Sequence, residues 1–282
     1  MAELVDIAPG ILVHTSRRDA LNSVVLASIS EAMLIDPGWE ADELDDIAAQ
    51  LAERGLAVIA GFATHAHHDH VLWHPSFGDG PRLASEATAR LGEAEREDLL
   101  ARATADDPAL ASRPELLGSL GRLSPTPQAP ADPHRTWLPK GAAPDGFTPQ
   151  LLTHDAHVPG HTALWLPEQR LLIAGDMLSS TELPLPDLEH SDRRARTLQT
   201  RRLDPFTTYL DALALLEPYA REARLVIPGH GPLGTNVLER LERDRAYLTA
   251  IIRGGDPHDD RRARPEMEAW HARLKAAADL QK

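Results

Sequence analysis

The sequence predicts an α/β (α+β) protein in which two β-rich halves, each closed by helices, pack their sheets face to face with the helices outside. Three observations carry this. Short apolar runs of strand length alternate with turns up to about residue 85 and again from Leu151. An amphipathic helical pattern follows within the first set and after the second. Between the halves, nine prolines fall from Asp107 to Pro149 and argue against long regular elements there. Sheets with one buried face each, and helices to cover the other, reach their stable arrangement in layers.

In order, "GILVHT", "SVVLASI" and "AMLID" read as strands, the last two joined through Ser30 and Glu31. "ADELDDIAAQLAERG" has helical spacing and a stop at Gly55. "LAVIAGFAT" is a buried strand that runs directly into His65. Ser85 to about Ala105 reads as helix, and "RPELLGSLGRL" as another short one. Residues 86–150 form an insertion or lid on a single domain spanning 1–282, because their apolar content is too thin for a separate core. Leu116, Leu117, Leu120, Leu123 and Trp137 are its candidate pocket wall. "LLTHDAHV", "TALWL" and "LLIAGD" are strands, with a "PEQR" turn before the third. "DPFTTYLDALALLEPYA" is a helix with Asp204 as N-cap and Pro205 at its first position. "RLVIP" is a last buried strand. Thr235 caps a charged helix to about Arg253, and "PEMEAWHARLKAAADL" supplies the final one, so that 235–282 is a C-terminal helical segment.

A chain of 282 residues is long enough for a substantial core. Its net charge of −14 disfavours nucleic acid and anionic membrane surfaces as partners. With no cysteine, disulfides, thiolate metal sites and thiol catalysis are excluded. The N-terminal stretch lacks the charged and apolar regions of a signal peptide, and no apolar run is of membrane-spanning length, so a cytoplasmic location is expected. The stretch "LWHPSF" is read as exposed and as a candidate homodimer contact.

The chemistry is concentrated where apolar strands end. "FATHAHHDH" places four histidines and an aspartate within six positions, His65 to His70. "PGHT" brings His161, "LLIAGD" stops at Asp176, and "RLVIPGHG" brings His230. Loops at one edge of a rigid sheet hold convergent side chains, and imidazole with carboxylate suits zinc, iron or manganese. So many ligands exceed the needs of one tetrahedral ion and point to two.

These residues resemble the metallo-β-lactamase superfamily. "THAHHDH" carries its H-x-H-x-D-H signature; "PGHT", "AGD" and "PGHG" follow in the superfamily's order, and "IDPG" at Asp36 looks like its early Asp-x-Gly turn. The likeness covers roughly residues 10–85 and 151–232. It implies a four-layer αββα sandwich and two divalent metal ions, zinc first among iron and manganese. By resemblance, His65, His67 and His161 hold the first ion, Asp69, His70 and His230 hold the second, and Asp176 bridges both. Asp69 and Asp176 are the catalytic carboxylates, Asp69 orienting a hydroxide shared by the ions. His68 points away. His74, His154 and His157 read as packed, hydrogen-bonded histidines, and Tyr209 as packing. Asp36 either orients a ligand histidine or makes its turn. His190 is a candidate for substrate contact.

The implied activity is hydrolysis of an acyl bond (ester, lactone or thioester) of a small molecule. The lactonase and glyoxalase II branches are nearest. The chain lacks the cysteine of many secreted β-lactamases, the polyanion-binding surface of the nucleases and the flavin domain of the flavodiiron enzymes. Two alternatives come from other classes: an oxidoreductase like the mononuclear-iron persulfide dioxygenases, and a non-catalytic binding module. One iron per chain would favour the first; missing ligands would favour the second.

Overall fold

A computed structural model describes residues 3–113, 116, 124–126, 134–188, 191–200 and 203–280. The first sheet has seven strands in sequence order: β1 (Val5–Ala8), β2 (Ile11–Thr15), β3 (Asn22–Ala27), β4 (Glu31–Ile35), β5 (Ala57–Phe62), β6 (Arg82–Ala84) and β7 (Ser124–Pro125). Pairing is antiparallel from β1 to β4 and parallel from β4 to β7. The second sheet has the order β12-β11-β10-β9-β8, from β8 (Arg135–Trp137), β9 (Gln150–His154), β10 (His161–Leu166), β11 (Leu171–Gly175) and β12 (Leu225–Pro228). Among the described residues there are seven α-helices: α1 (Ala41–Glu53), α2 (Glu86–Ala94), α3 (Arg96–Asp106), α4 (Ser191–Leu198), α5 (Pro205–Glu222), α6 (Val237–Ile252) and α7 (Pro265–Asp279). None of them is long and apolar enough to cross a membrane.

Strand alternation produces the layers. On β2, Ile11 and Val13 face inward and meet Leu164, Leu166, Leu171 and Ile173 of the second sheet. Leu12, between them, points to the opposite face and joins Leu44, Ile47 and Leu51 of α1. On β10 the same period sends Leu164 and Leu166 to the shared core and Ala163 and Trp165 outward, against Phe206, Leu213 and Leu216 of α5 and Leu241 of α6. Helix, sheet, sheet, helix is therefore the order of layers, as expected. Each side chain of Leu or Ile size buried this way contributes about 1.5–3 kcal/mol.

Local signals hold where their chemistry is explicit. Gly55 ends α1 at φ +68°, a left-handed conformation that disfavours a Cβ. Asp204 caps α5, its Oδ2 accepting the Thr207 N–H at 2.8 Å. Other boundaries differ. The helix expected over 85–105 breaks at Glu95 into α2 and α3, and α6 begins after Asn236 rather than at Thr235. β1, β6 and β8 are too short for their period to stand out.

The middle segment is more integrated than its prolines imply. β7 extends the first sheet and β8 the second, and Leu116 is buried in the apolar cluster beneath α1 instead of walling a pocket. Asp107 accepts the Ala41 N–H through Oδ2 at 2.8 Å, satisfying a donor of the first turn of α1. Trp137, on β8, is half exposed. Leu117, Leu120, Leu123 and His190 lie outside the described residues, as does most of "RPELLGSLGRL". The reading of "LWHPSF" as an exposed contact is corrected: Leu72, Trp73 and Phe77 are all buried, with the Trp73 and Phe77 rings edge to face at 5.1 Å. An apolar run after a ligand loop is used here to anchor that loop.

Candidate metal centre

The ends of β5, β9, β11 and β12 deliver the polar residues to one edge of the sandwich. Two clusters result. Ligand-type atoms of His65, His67, His157 and Asp176 lie within 4.8 Å of one another, and those of Asp69, His70 and His230 form a second group. In the first, His65 Nε2 is 3.0 Å and His157 Nε2 is 3.1 Å from His67 Nδ1, and both Nε2 atoms are 3.4 Å from Asp176 Oδ2. In the second, Asp69 Oδ2 is 3.4 Å from His70 Nε2 and 3.2 Å from His230 Nε2. The other oxygen of Asp176 faces this second group, 3.2 Å from His70 Nε2 and 3.5 Å from His230 Nε2.

These spacings fit metal binding. With metal–nitrogen bonds of about 2.0–2.1 Å, the edges of a tetrahedron of ligands are about 3.4 Å. Asp176 Oδ1 is also buried without a hydrogen-bond partner among the described residues, which is costly for a carboxylate oxygen unless a cation satisfies it.

The remaining ring nitrogens fix the imidazoles. His157 Nδ1–H donates to the Leu185 carbonyl at 2.7 Å and His230 Nδ1–H to the Asp19 carbonyl at 3.1 Å. His70 Nδ1 lies 2.9 Å from Asp36 Oδ2, and His65 Nδ1 lies 3.0 Å from Thr64 Oγ1, which itself donates to Asp36 Oδ2 at 2.6 Å. A donor at Nδ1 leaves the Nε2 lone pair turned to the site. Asp36 does both things read for it: it orients His70, and it turns the chain at φ +49°.

Six of the seven expected ligands converge; His161 does not. It opens β10 with its ring behind the site, stacked on His65 at 5.0 Å and on His154 at 4.7 Å. Its Nε2 accepts the Asp176 N–H at 3.1 Å, so it braces the backbone of Asp176. The place expected for it is taken by His157. β9 ends at His154, which pairs with His161, so residues 155–160 are a hairpin loop and not strand. Asp155 Oδ1 accepts the Gly160 N–H at 2.7 Å and closes that loop, leaving His157 beside His67. The Pro159–Gly160 pair was the available sign that the strand stops earlier.

His68 and His74 point away from the two groups. His68 turns to Asp106, with Nε2 at 2.5 Å from Oδ2, and His74 turns to Asp45 at 3.0 Å. Tyr209 is buried in the core.

Burial governs the charge states. It lowers His65 to about 4 and His154 to about 3, and holds His67 and His161 well below the usual imidazole range. Burial opposes the cationic forms of His70 and His230 too. The Asp176 and Asp69 charges outweigh it, raising His70 well above its ordinary value and His230 to about 10. Burial likewise opposes ionisation of Asp69 and Asp176, yet the histidine charges around them, His70 first, keep both well below the usual carboxylate range. Two ionised carboxylates among neutral imidazoles and displaceable protons are a suitable donor set for a divalent cation.

Beside the first group a cavity of about 210 Å³ opens, with His67 and His157 in its wall.

The profile of the metallo-beta-lactamase superfamily matches residues 17–249, and the chain belongs to that superfamily. Among solved structures it is similar to a metallo-beta-lactamase family protein from Thermus thermophilus, at a TM-score of 0.63 and 20% identity over 88% of this chain and 82% of the other. A beta-lactamase domain protein from Burkholderia ambifaria gives 0.60 and 20% over 89% and 74%. A metallo-beta-lactamase from Pontibacter korlensis gives 0.56 and 20% over 88% and 99%. Likeness at these identities is one of fold. The sequence matches no curated protein.

Proposed function

We propose that the protein is a dinuclear metal-dependent hydrolase that cleaves an acyl bond, ester, lactone or thioester, of a small molecule. The observation that carries this reading is the pose of Asp176, whose Oδ2 faces His65 and His157 while its Oδ1 faces His70 and His230. A carboxylate divided in this way between two imidazole groups is suited to hold two cations a few ångströms apart against their mutual repulsion.

His65, His67 and His157 would hold one divalent ion and Asp69, His70 and His230 the other, with Asp176 between. The all-imidazole and carboxylate set suits zinc and accepts iron or manganese. When bound, the ions supply Lewis acidity toward the acyl oxygen and bring the ionisation of a water toward neutral pH. The chain supplies the rest. Asp69, ionised throughout the physiological range, accepts a hydrogen bond from the attacking water and fixes its direction. Asp36, Thr64 and the carbonyls of Leu185 and Asp19 keep the imidazole lone pairs aimed inward. Trp39, buried and edge-on to His230 at 5.7 Å, walls the second group and limits bulk water there.

The test is metal analysis of protein prepared without chelator, joined to a panel of aryl esters, lactones and thioesters. Two equivalents of metal with turnover of an acyl substrate support the reading. A single iron with oxygen consumption and no acyl turnover would replace it with an oxidative one.

A further inference from the structure

We infer that Asn22 is a positioning residue for the second metal group: from the first sheet it fixes the backbone that presents His230, and so sets the geometry in which the second ion binds. This rests on the dinuclear hydrolase reading above. Asp69 and His70 follow β5 of the first sheet, whereas His230 follows β12 of the second. Ligands to one ion must hold their distances to about 0.2 Å. Apolar packing between sheets is non-directional and does not define a position so finely. Directional bonds across the sheets are needed, and Asn22 makes them.

Asn22 opens β3 and is buried, with 3% of its surface exposed. Its Nδ2 donates to the carbonyls of Pro228 at 2.9 Å and Gly231 at 2.8 Å, and its backbone N–H donates to the Gly229 carbonyl at 2.7 Å. The remaining carbonyl of that segment, His230's own, accepts from Ser179 Oγ. One residue therefore holds the carbonyls on both sides of His230. The amide cannot be turned round, since two carbonyls can only accept, and Thr15 Oγ1 donates to its Oδ1 at 2.8 Å. Gly229 and Gly231 have no side chains with which to pack, which leaves hydrogen bonds to locate the segment. Asparagine is a poor strand former and its buried amide is costly unless satisfied, so what it adds here is this pair of donors.

The rest of the β2–β3 hairpin acts with it. The Asp19 carbonyl accepts His230 Nδ1–H at 3.1 Å, the Ala20 carbonyl accepts the Gly231 N–H at 3.0 Å, and Leu21 forms an antiparallel bridge with His230. Asp19 and Ala20 stand at φ +45° and +49°, left-handed conformations that residues with a Cβ adopt at a cost and that cluster at functional sites. The Ser16 N–H closes the hairpin on the Leu21 carbonyl at 2.8 Å, and the Arg17 N–H ties it to α1 through the buried Glu43, Oε1 at 2.9 Å. Ring and backbone of His230 are thus both set from the first sheet, in the frame of Asp69 and His70. Asn22 makes no hydrogen bond to the first group among the described residues, so the two ions should respond differently to its loss.

Zinc titration of the full chain against a competing chelator resolves the two binding steps, and His230→Gln shows which step belongs to the second group. Asn22→Asp keeps the shape but removes both N–H donors, and Asn22→Ser keeps one hydroxyl donor. Asn22→Asp should weaken that step about 10- to 100-fold, the usual loss when a ligand's support is removed, and leave the other unchanged. Asn22→Ser should show the same pattern more mildly. Thr15→Val, at an exposed position, frees the Asn22 amide to turn and should weaken the same step severalfold; it decides the matter if the buried variants fail to fold. In zinc-loaded protein with labelled histidine, the His230 Nδ1–H resonance, assigned by its absence in His230→Gln, should be protected from exchange in the wild type and lost in Asn22→Asp. A purely structural role would lower Tm and weaken both steps alike, with that resonance kept. Either that pattern, or two unchanged steps in every folded variant, would overturn the inference. Two bound zinc ions without turnover of any acyl substrate would sink the hydrolase reading alone, because neither the titration nor the resonance depends on turnover.

Discussion

His157 Nε2 stands 3.1 Å from His67 Nδ1, and both atoms belong to the group that Asp176 Oδ2 faces. The histidine four residues later, His161, instead receives the Asp176 N–H behind that group. Ligand and brace are therefore separable by mutation. His157→Ala should reduce metal content from two equivalents toward one and activity by orders of magnitude. His161→Asn should keep both equivalents with affinity weakened about 10- to 100-fold, the usual loss when a supporting contact is removed. Equal metal loss in the two variants, measured by elemental analysis after dialysis, would return His161 to the ligand set.

That exchange shows where reading the sequence stops. Strand ends running into His65, Asp176 and His230 were legible because apolar runs and polar clusters meet abruptly there, and six of the residues that converge in the two clusters followed. His157 was not, because "LLTHDAHV" alternates well enough to pass for a longer strand. What ends the strand is the loop closed by Asp155 and Gly160, a tertiary outcome of the His154–His161 pairing. The layers were legible from period alone, as Ile11, Leu12 and Val13 show. β7 and β8 were hidden because two or three residues carry no period. Asp107, read as part of a proline-rich insertion, turned out to cap α1 from 66 residues away. The cavity beside the first group is lined from three separate helices, by Arg102, Arg194 and Arg273, and no local pattern announces it.

A second prediction concerns Gly229, which is no ligand. A Cβ built on it would stand 2.0 Å from Asp176 Oδ1, far inside contact distance. Gly229→Ala must therefore displace the bridging carboxylate or its backbone. Gly229 is tied to Gly175 of β11 and Asn22 of β3, so circular dichroism accompanies the assay; a folded variant should lose metal and activity to an extent resembling Asp176→Asn. Asp176→Asn itself keeps the shape and removes the charge, so its metal content should drop toward one equivalent. Wild-type stoichiometry and rate in both variants would refute the bridge.

The loop after Asp176 is held from the C-terminal side. Arg261, almost wholly buried, pairs with Asp244 at 2.6 Å and Asp259 at 2.9 Å, and donates to the carbonyls of Ser179 at 3.3 Å and Glu182 at 2.9 Å. Ser179 Oγ then donates to the His230 carbonyl at 2.9 Å. Arg261→Met leaves the buried Asp244 without its ion-pair partner, while Asp259 keeps Arg243 at 2.5 Å, and should cost about 3–5 kcal/mol in urea unfolding. Arg261→Met with Asp244→Asn should recover part of that, because the uncompensated charge is gone while the Arg243–Asp259 pair stays. A loss under about 1 kcal/mol in the single variant, the scale of an exposed ion pair, would show that the clamp is solvated.

The last prediction is the pH profile of metal-free protein. His65 is lowered to about 4 and His154 to about 3, while His67 and His161 also lie well below the usual imidazole value. Below about pH 6.5 the unfolded chain takes up protons at these positions that the folded chain refuses, so stability falls toward acid. His230, raised to about 10, and His70, raised as well, act in the opposite direction. Their contribution is complete below about pH 6.5 and is lost as pH rises through the folded value. The chelated protein should therefore have its highest Tm near about pH 6.5, the unfolded imidazole value, and decline on both sides. His230→Gln should flatten the alkaline limb and leave the acid one. Zinc should raise Tm most at alkaline pH, where it replaces protons already leaving His70 and His230. A chelated Tm that climbs steadily from about pH 6.5 to about 9 would mean that these two imidazoles are not held as cations by Asp69 and Asp176.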